Sequence, residues 1–155
     1  MPIPSAMKKL LDINTWIALS LAAHPQHKAA RRWYQRTAIA AGELLFCRPA
    51  ELGFLRLTTQ ERVMQQYAVQ ALTNDEALTF LAQVCTDPAV ATVDEAPTTR
   101  NLWLKIAKHP RPSPNVWMDA YLAALAISLG AEMVTFDGGF KSYTRHGLKL
   151  VLLTP

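Results

Sequence analysis

Four carboxylates in this chain fall where chemistry could be built. Asp12 closes the apolar run Lys8-Lys-Leu-Leu11, and Glu51 stands in the first turn of a helix that follows Glu43-Leu-Leu-Phe-Cys47. Asp119 lies one turn beyond Asn115 at the head of a long apolar helix, and Asp137 follows Met133-Val-Thr-Phe136. Each is therefore at a strand exit or in the first turn of a helix, positions that an open, doubly wound sheet gathers at one edge. Two unit charges 4 Å apart repel by about 4 kcal/mol at an effective dielectric of 20, so converging carboxylates require protons or a cation. Oxygen ligands without His or Cys suit Mg²⁺ or Mn²⁺. Beside a basic rim, such a cation would serve phosphodiester hydrolysis, activating water and stabilising charge on the phosphate.

The basic rim has a candidate. Lys105-Ile-Ala-Lys-His-Pro-Arg-Pro-Ser-Pro114 is a proline-stiffened loop leading directly into Asn115. Its Lys105, Lys108, His109 and Arg111 could contact phosphates. Trp117, between this loop and Asp119, is the tryptophan placed to stack on a base. Trp16, by contrast, shares helical spacing with Ile13, Ile17 and Ser20 and is expected to pack in the core.

These residues must be positioned by alternating elements. Strands are expected at Lys8–Asp12, Glu43–Cys47, Val90–Val93, Met133–Phe136 and Leu148–Leu153. Helices are expected at Ile13–Leu19, Gln26–Ala41, Arg48–Thr58, around Arg62–Val69, at Asp75–Val84, Pro97–Lys108 and Asn115–Leu129. Leu52 and Leu55 would mark the inner side of the third helix, with Glu51 facing over the sheet end. Asn115 is suited to cap the last helix through its side chain, and Gly130 to end it in a left-handed turn. Phe140–Tyr143 is a short turn or helix. Asp94 and Glu95 follow the third strand and are secondary candidates for the site. Five strands alternating with helices imply a three-layer α/β/α domain with a central, mainly parallel five-stranded sheet.

Composition bounds the rest. With 155 residues the chain makes one domain, spanning 1–155, with residues 1–7 as a flexible N-terminal arm. Sixteen Lys and Arg against twelve Asp and Glu give a net charge of +4, which favours polyanionic partners. No apolar run reaches the roughly 20 residues of a membrane span, and no signal-peptide order precedes Lys8, so the cytoplasm is the expected location. His24 and His27 lack a third ligand for zinc, and Cys47 and Cys85 read as isolated reduced thiols.

Taken together, Leu10-Leu-Asp-Ile-Asn-Thr-Trp-Ile-Ala-Leu19, Glu51-Leu-Gly-Phe-Leu-Arg-Leu57, Asp119-Ala-Tyr-Leu-Ala-Ala-Leu-Ala126 and Thr135-Phe-Asp-Gly-Gly-Phe140 resemble the four acidic motifs of PIN-domain ribonucleases, with the VapC-type toxins of bacterial toxin–antitoxin pairs as the nearest likeness. The resemblance covers nearly the whole chain. It implies an endoribonuclease dependent on Mg²⁺, with Mn²⁺ able to substitute, that forms a homodimer, cuts structured RNA such as tRNA or rRNA, and is silenced by a cognate antitoxin. By position it makes Asp12, Glu51, Asp119 and Asp137 the catalytic and metal-binding set, with Asp12 and Asp119 the firmest ligands. Asn14, Thr135 and Asn115 match supporting polar positions. Two alternatives stand beside it: a non-catalytic PIN-like binding module, and a haloacid dehalogenase-type phosphatase, against which Asn14 counts because it replaces that enzyme's general acid.

Overall fold

Five short strands, β1 (Lys9–Leu11), β2 (Leu44–Cys47), β3 (Val90–Val93), β4 (Glu132–Thr135) and β5 (Lys149–Leu152), form one sheet in the order β3-β2-β1-β4-β5. The computed structural model describes residues 7–155, and all four strand pairings within it are parallel. The arm expected over residues 1–7 lies, apart from Met7, outside the described residues. From β1 the chain winds outward through β2 and β3 on one side and returns to β4 and β5 on the other. The winding direction thus reverses between β1 and β4, and open parallel sheets hold their sites in the crevice at such a reversal.

The helices are α1 (Ile13–Ser20), α2 (His27–Arg36), α3 (Arg48–Thr58), α4 (Glu61–Gln65), α5 (Asn74–Val84), α6 (Thr99–Ile106) and α7 (Val116–Leu129), with a 3-10 segment at Gly138–His146. Among the described residues none is long and apolar enough to cross a membrane. Leu10, Leu11, Leu44, Leu45, Phe46, Met133 and Val134 are buried, as strands covered on both faces require. Trp16 stacks on Phe46 with ring centroids 4.1 Å apart and planes 8° off parallel. The core placement expected for Trp16 holds, and such a pair adds about 0.5–1.5 kcal/mol beyond its buried area.

Several boundaries and faces differ from expectation. α2 ends at Arg36 instead of Ala41, because Thr37 takes an extended backbone and the chain then turns at Gly42, with φ +74°, to enter β2. α6 is shorter than Pro97–Lys108 at both ends. Leu52 is 60% exposed; the face of α3 that packs inward is Ala50, Phe54 and Thr58. Leu52 is about 200° round the helix from Ala50 and Phe54 and so faces away from the core, while α3 lies close against α1 at Gly53, where a Cβ would stand 2.3 Å from Ile13 Cδ1. Gly130 ends α7 in the left-handed conformation, with φ +63°, as expected.

Candidate active site

Asp12 leaves β1 and immediately caps α1. Its Oδ1 accepts the Thr15 amide at 2.8 Å, and its Oδ2 accepts the Thr135 hydroxyl at 2.5 Å. That second bond crosses from β1 to β4, because the register places Leu11 beside Val134 and so Asp12 beside Thr135. Thr135 Oγ1 in turn accepts the Asp137 amide at 2.9 Å, and Asp137 Oδ1 accepts the Gly139 amide at 2.8 Å. One chain of hydrogen bonds thus runs from α1 through both strand exits to the start of the 3-10 segment.

Asp119 approaches from the first turn of α7. The core row Leu122, Ala126 and Leu129, with Leu125 beside it, seats that helix on the sheet and leaves Asp119 at the border of the core. Its proton affinity is raised, to a pKa of about 6, first by burial and then by the charges of Asp137 and Asp12. Asp12, only 7% exposed, is also raised, chiefly by burial, against the opposing effect of its bonds from Thr135 and Thr15 and with a further push from Asp137. Three carboxylates therefore share one electrostatic neighbourhood. Each stands at a helix N-terminus, where the peptide dipoles offset part of the repulsion.

Glu51 enters from the first turn of α3, one strand over. Its side chain is 13% exposed and lies 3.9 Å from Arg48 Nε. Its charge is felt by the thiols of Cys47 and Cys85, whereas the carboxylates that shift Asp12 and Asp119 are other aspartates. The structure thus couples three of the four acids, and holds Glu51 at the flank.

Asn14 is exposed in the first turn of α1 and Asn115 is exposed one turn before Asp119. The capping expected of Asn115 is not found: its backbone is helical and its side chain makes no capping bond, since Val116 is already tied to Ser113 by a turn that brings the chain in from Pro114. Of the basic loop, Lys108 and Arg111 line a cavity with Trp117, while Lys105 is exposed on α6 outside it. Glu95 is occupied elsewhere, accepting from the Tyr121 hydroxyl at 2.9 Å.

One residue at the site escaped the sequence reading. Tyr143 is 7% exposed, and its phenol is held protonated by burial and by the charges of Asp119 and Asp137. The available signal was the interval from Phe140 to Tyr143: residues three apart eclipse in a 3-10 helix, so both turn inward on the acids' side.

The donor set is compatible with a divalent cation. Among the described residues no group of three or more His, Cys, Asp or Glu side chains is placed to hold a metal ion together. Mg²⁺ does not demand such a group, because it keeps several waters and binds through one or two carboxylates. Asp119 accepts no side-chain hydrogen bond from the described residues, Asp137 has Oδ2 open, and Asp12, whose two oxygens accept one bond each, keeps further lone pairs, so hard oxygen ligands remain available.

Residues 9–145 match the PIN domain. Over 145 residues the chain is 39% identical to Ribonuclease VapC41 of Mycobacterium tuberculosis strain H37Rv, covering 93% of this chain and 97% of that relative. The fold matches VapBC-1 from nontypeable Haemophilus influenzae with a TM-score of 0.62 at 17% identity, over 94% and 98% of the two chains. It also matches VapC20 of Mycobacterium tuberculosis, with a TM-score of 0.59 at 16% identity, over 87% and 94%. The chain belongs to the PIN-domain family, within its VapC-type toxins. With the family established, the haloacid dehalogenase-type alternative falls away.

Proposed function

We propose that this protein is a divalent-metal-dependent endoribonuclease that hydrolyses phosphodiester bonds of structured RNA, tRNA or rRNA, as a cytoplasmic homodimer held inactive by a cognate antitoxin. The observation that carries this reading is the convergence of acids at the reversal between β1 and β4, where Thr135 ties Asp12 to Asp137 by hydrogen bonds and Asp119 comes in from α7 close enough to feel both charges. The name ribonuclease borne by a relative 39% identical supports it.

Asp12 and Asp119 are the cation's principal ligands in this reading. Thr135 and the Thr15 amide orient Asp12 and favour its ionised form against its burial, in the way that ligand carboxylates depend on the groups bonded to them. Asp137 presents its open Oδ2, and Glu51, together with Asp137, serves the cation directly, through water, or by orienting the attacking water. Asn14 supports from the exposed edge of α1 and Asn115 from the turn before Asp119. When bound, Mg²⁺ or Mn²⁺ supplies the positive charge that stabilises the developing phosphate charge and eases deprotonation of a water nucleophile. Tyr143, kept protonated, is placed to donate a hydrogen bond on the same side.

The test is incubation of antitoxin-free protein with purified tRNA and ribosomal RNA in Mg²⁺, Mn²⁺ or EDTA, beside Asp119→Asn. Discrete fragments that require metal and disappear in the variant are expected. Equal inertness of two folded proteins that still bind a partner would instead make this a PIN-like binding module.

A further inference from the structure

A cavity of about 410 Å³ lies between the end of α6, the loop that follows and the start of α7. Leu104 and Ala107 supply its apolar floor, while Lys108 and Arg111 give it cationic groups beside His109; no carboxylate lines it. Trp117 forms the wall and is 60% exposed, which leaves its ring face open to the cavity. The wall is held in place from behind: Trp103 Nε1 donates to the Trp117 carbonyl at 2.9 Å, and Trp103 packs edge-on against Tyr121 with centroids 5.8 Å apart. The rim is tied as well. His109 Nδ1 lies 3.1 Å from the Arg111 amide and 2.9 Å from Ser113 Oγ, which closes the turn carrying both rim residues.

A flat aromatic wall, an apolar floor and a cationic rim together suit a ligand with a planar base and an attached phosphate. The volume is within the roughly 300–1,000 Å³ of small-molecule sites. We propose that this cavity is a nucleotide subsite, which receives one unpaired nucleotide of the RNA near the scissile phosphate, with the base on Trp117 and a phosphate between Lys108 and Arg111. The assignment rests on the ribonuclease reading for its connection to the acids. Trp117 and Asp119 leave the first turn of α7 about 200° apart, on different faces of the helix, so the cavity and the acids serve one strand only where that strand passes over the helix head. Single-stranded loops are where proteins read RNA through splayed bases, whereas a base held in a duplex could not enter the cavity.

The experiment measures binding of a fluorescein-labelled single-stranded oligoribonucleotide of about eight nucleotides, and of its duplex, in EDTA so that no metal-dependent cleavage intervenes. Wild type is expected to prefer the single strand. Trp117→Ala should weaken single-strand binding by about tenfold and abolish the preference, while Trp117→Phe retains most of it. Lys108→Ala and Arg111→Ala should each reduce the slope of log K against log salt by about 0.7, the value for one single-strand phosphate contact. Unchanged affinity, preference and salt slope in all these variants would overturn the subsite and leave the face for a protein partner. If wild type binds as described yet cuts no RNA when metal is supplied, the ribonuclease reading fails and the subsite stands.

Discussion

The Thr135 hydroxyl donates to Oδ2 of Asp12 across the β1–β4 pair while its oxygen accepts the Asp137 amide. One small side chain thereby fixes the position of two acids that are 125 residues apart in the chain. Thr135→Val keeps the shape and removes both bonds. Hydrogen bonds to charged groups contribute about 1.5–3 kcal/mol, so metal affinity and cleavage should fall by about 10- to 100-fold, and Thr135→Ser should recover most of both. Calorimetric Mn²⁺ titration of the two variants tests this; equal loss in both would assign the effect to packing.

Asp119→Asn should abolish cleavage and at the same time raise the thermal midpoint of metal-free protein. Burial and the charges of Asp137 and Asp12 all oppose ionisation of Asp119, so neutralising it relieves the fold. At about 2–4 °C per kcal/mol for a chain of this length, a rise of a few degrees in EDTA at neutral pH is expected. Added Mg²⁺ should then stabilise wild type more than the variant. A variant less stable than wild type in EDTA would contradict the repulsion.

The pH dependence follows from the same groups. Asp119, pushed up to about 6, and Asp12, raised in the same direction, bind protons more tightly folded than unfolded. Ionisation of Asp119 therefore costs stability as pH rises from about 4 through about 6, and ionisation of Asp12 adds to the cost in the same direction. A divalent cation competes with those protons, so its affinity should increase over the same interval. Melting curves in EDTA and in Mg²⁺ between pH 4.5 and 8 should diverge as pH rises; parallel curves would show that no cation joins these acids.

Gly53→Ala tests the seating of α3 on α1. The added methyl would stand 2.3 Å from Ile13 Cδ1 and 2.8 Å from Cγ1, and Ile is stiff at its β-carbon, so the helices must separate. A loss of about 1–3 kcal/mol in denaturant unfolding is expected, and Ile13→Ala introduced beside it should recover part. Because Asp12 caps α1 and Glu51 rides on α3, the same variant should also slow cleavage.

How much of this was legible follows from which signals are local. β2, β4 and the acids at the strand exits could be read because a doubly covered strand is a nearly unbroken apolar run and the acid at its end interrupts it. The parallel sheet followed from the alternation. Leu52 was misplaced because Leu52 and Leu55 and the stripe of Ala50, Phe54 and Thr58 compete for the inner side of α3, and packing against distant elements, such as Ile13 at Gly53 forty residues away, decides between them. Asn115 misled because capping is decided by the backbone entering the helix, and the turn from Ser113 had already taken that role. Glu51 was correctly expected to face inward, but the neighbours that feel its charge are Cys47 and Cys85. Tyr143 was missed because a 3-10 segment carries none of the periodicity of a helix or strand.

The burial of α7 has a final consequence. Ala120, Leu122, Ala123, Ala124, Leu125 and Ala126 are all buried, so the helix carrying Asp119 is also a principal part of the core. The aspartate cannot be withdrawn by a local hinge without opening that core. An inhibitor of this protein is therefore confined to obstruction: it must cover the acids or compete for what they hold, because the scaffold leaves no inexpensive way to pull them apart.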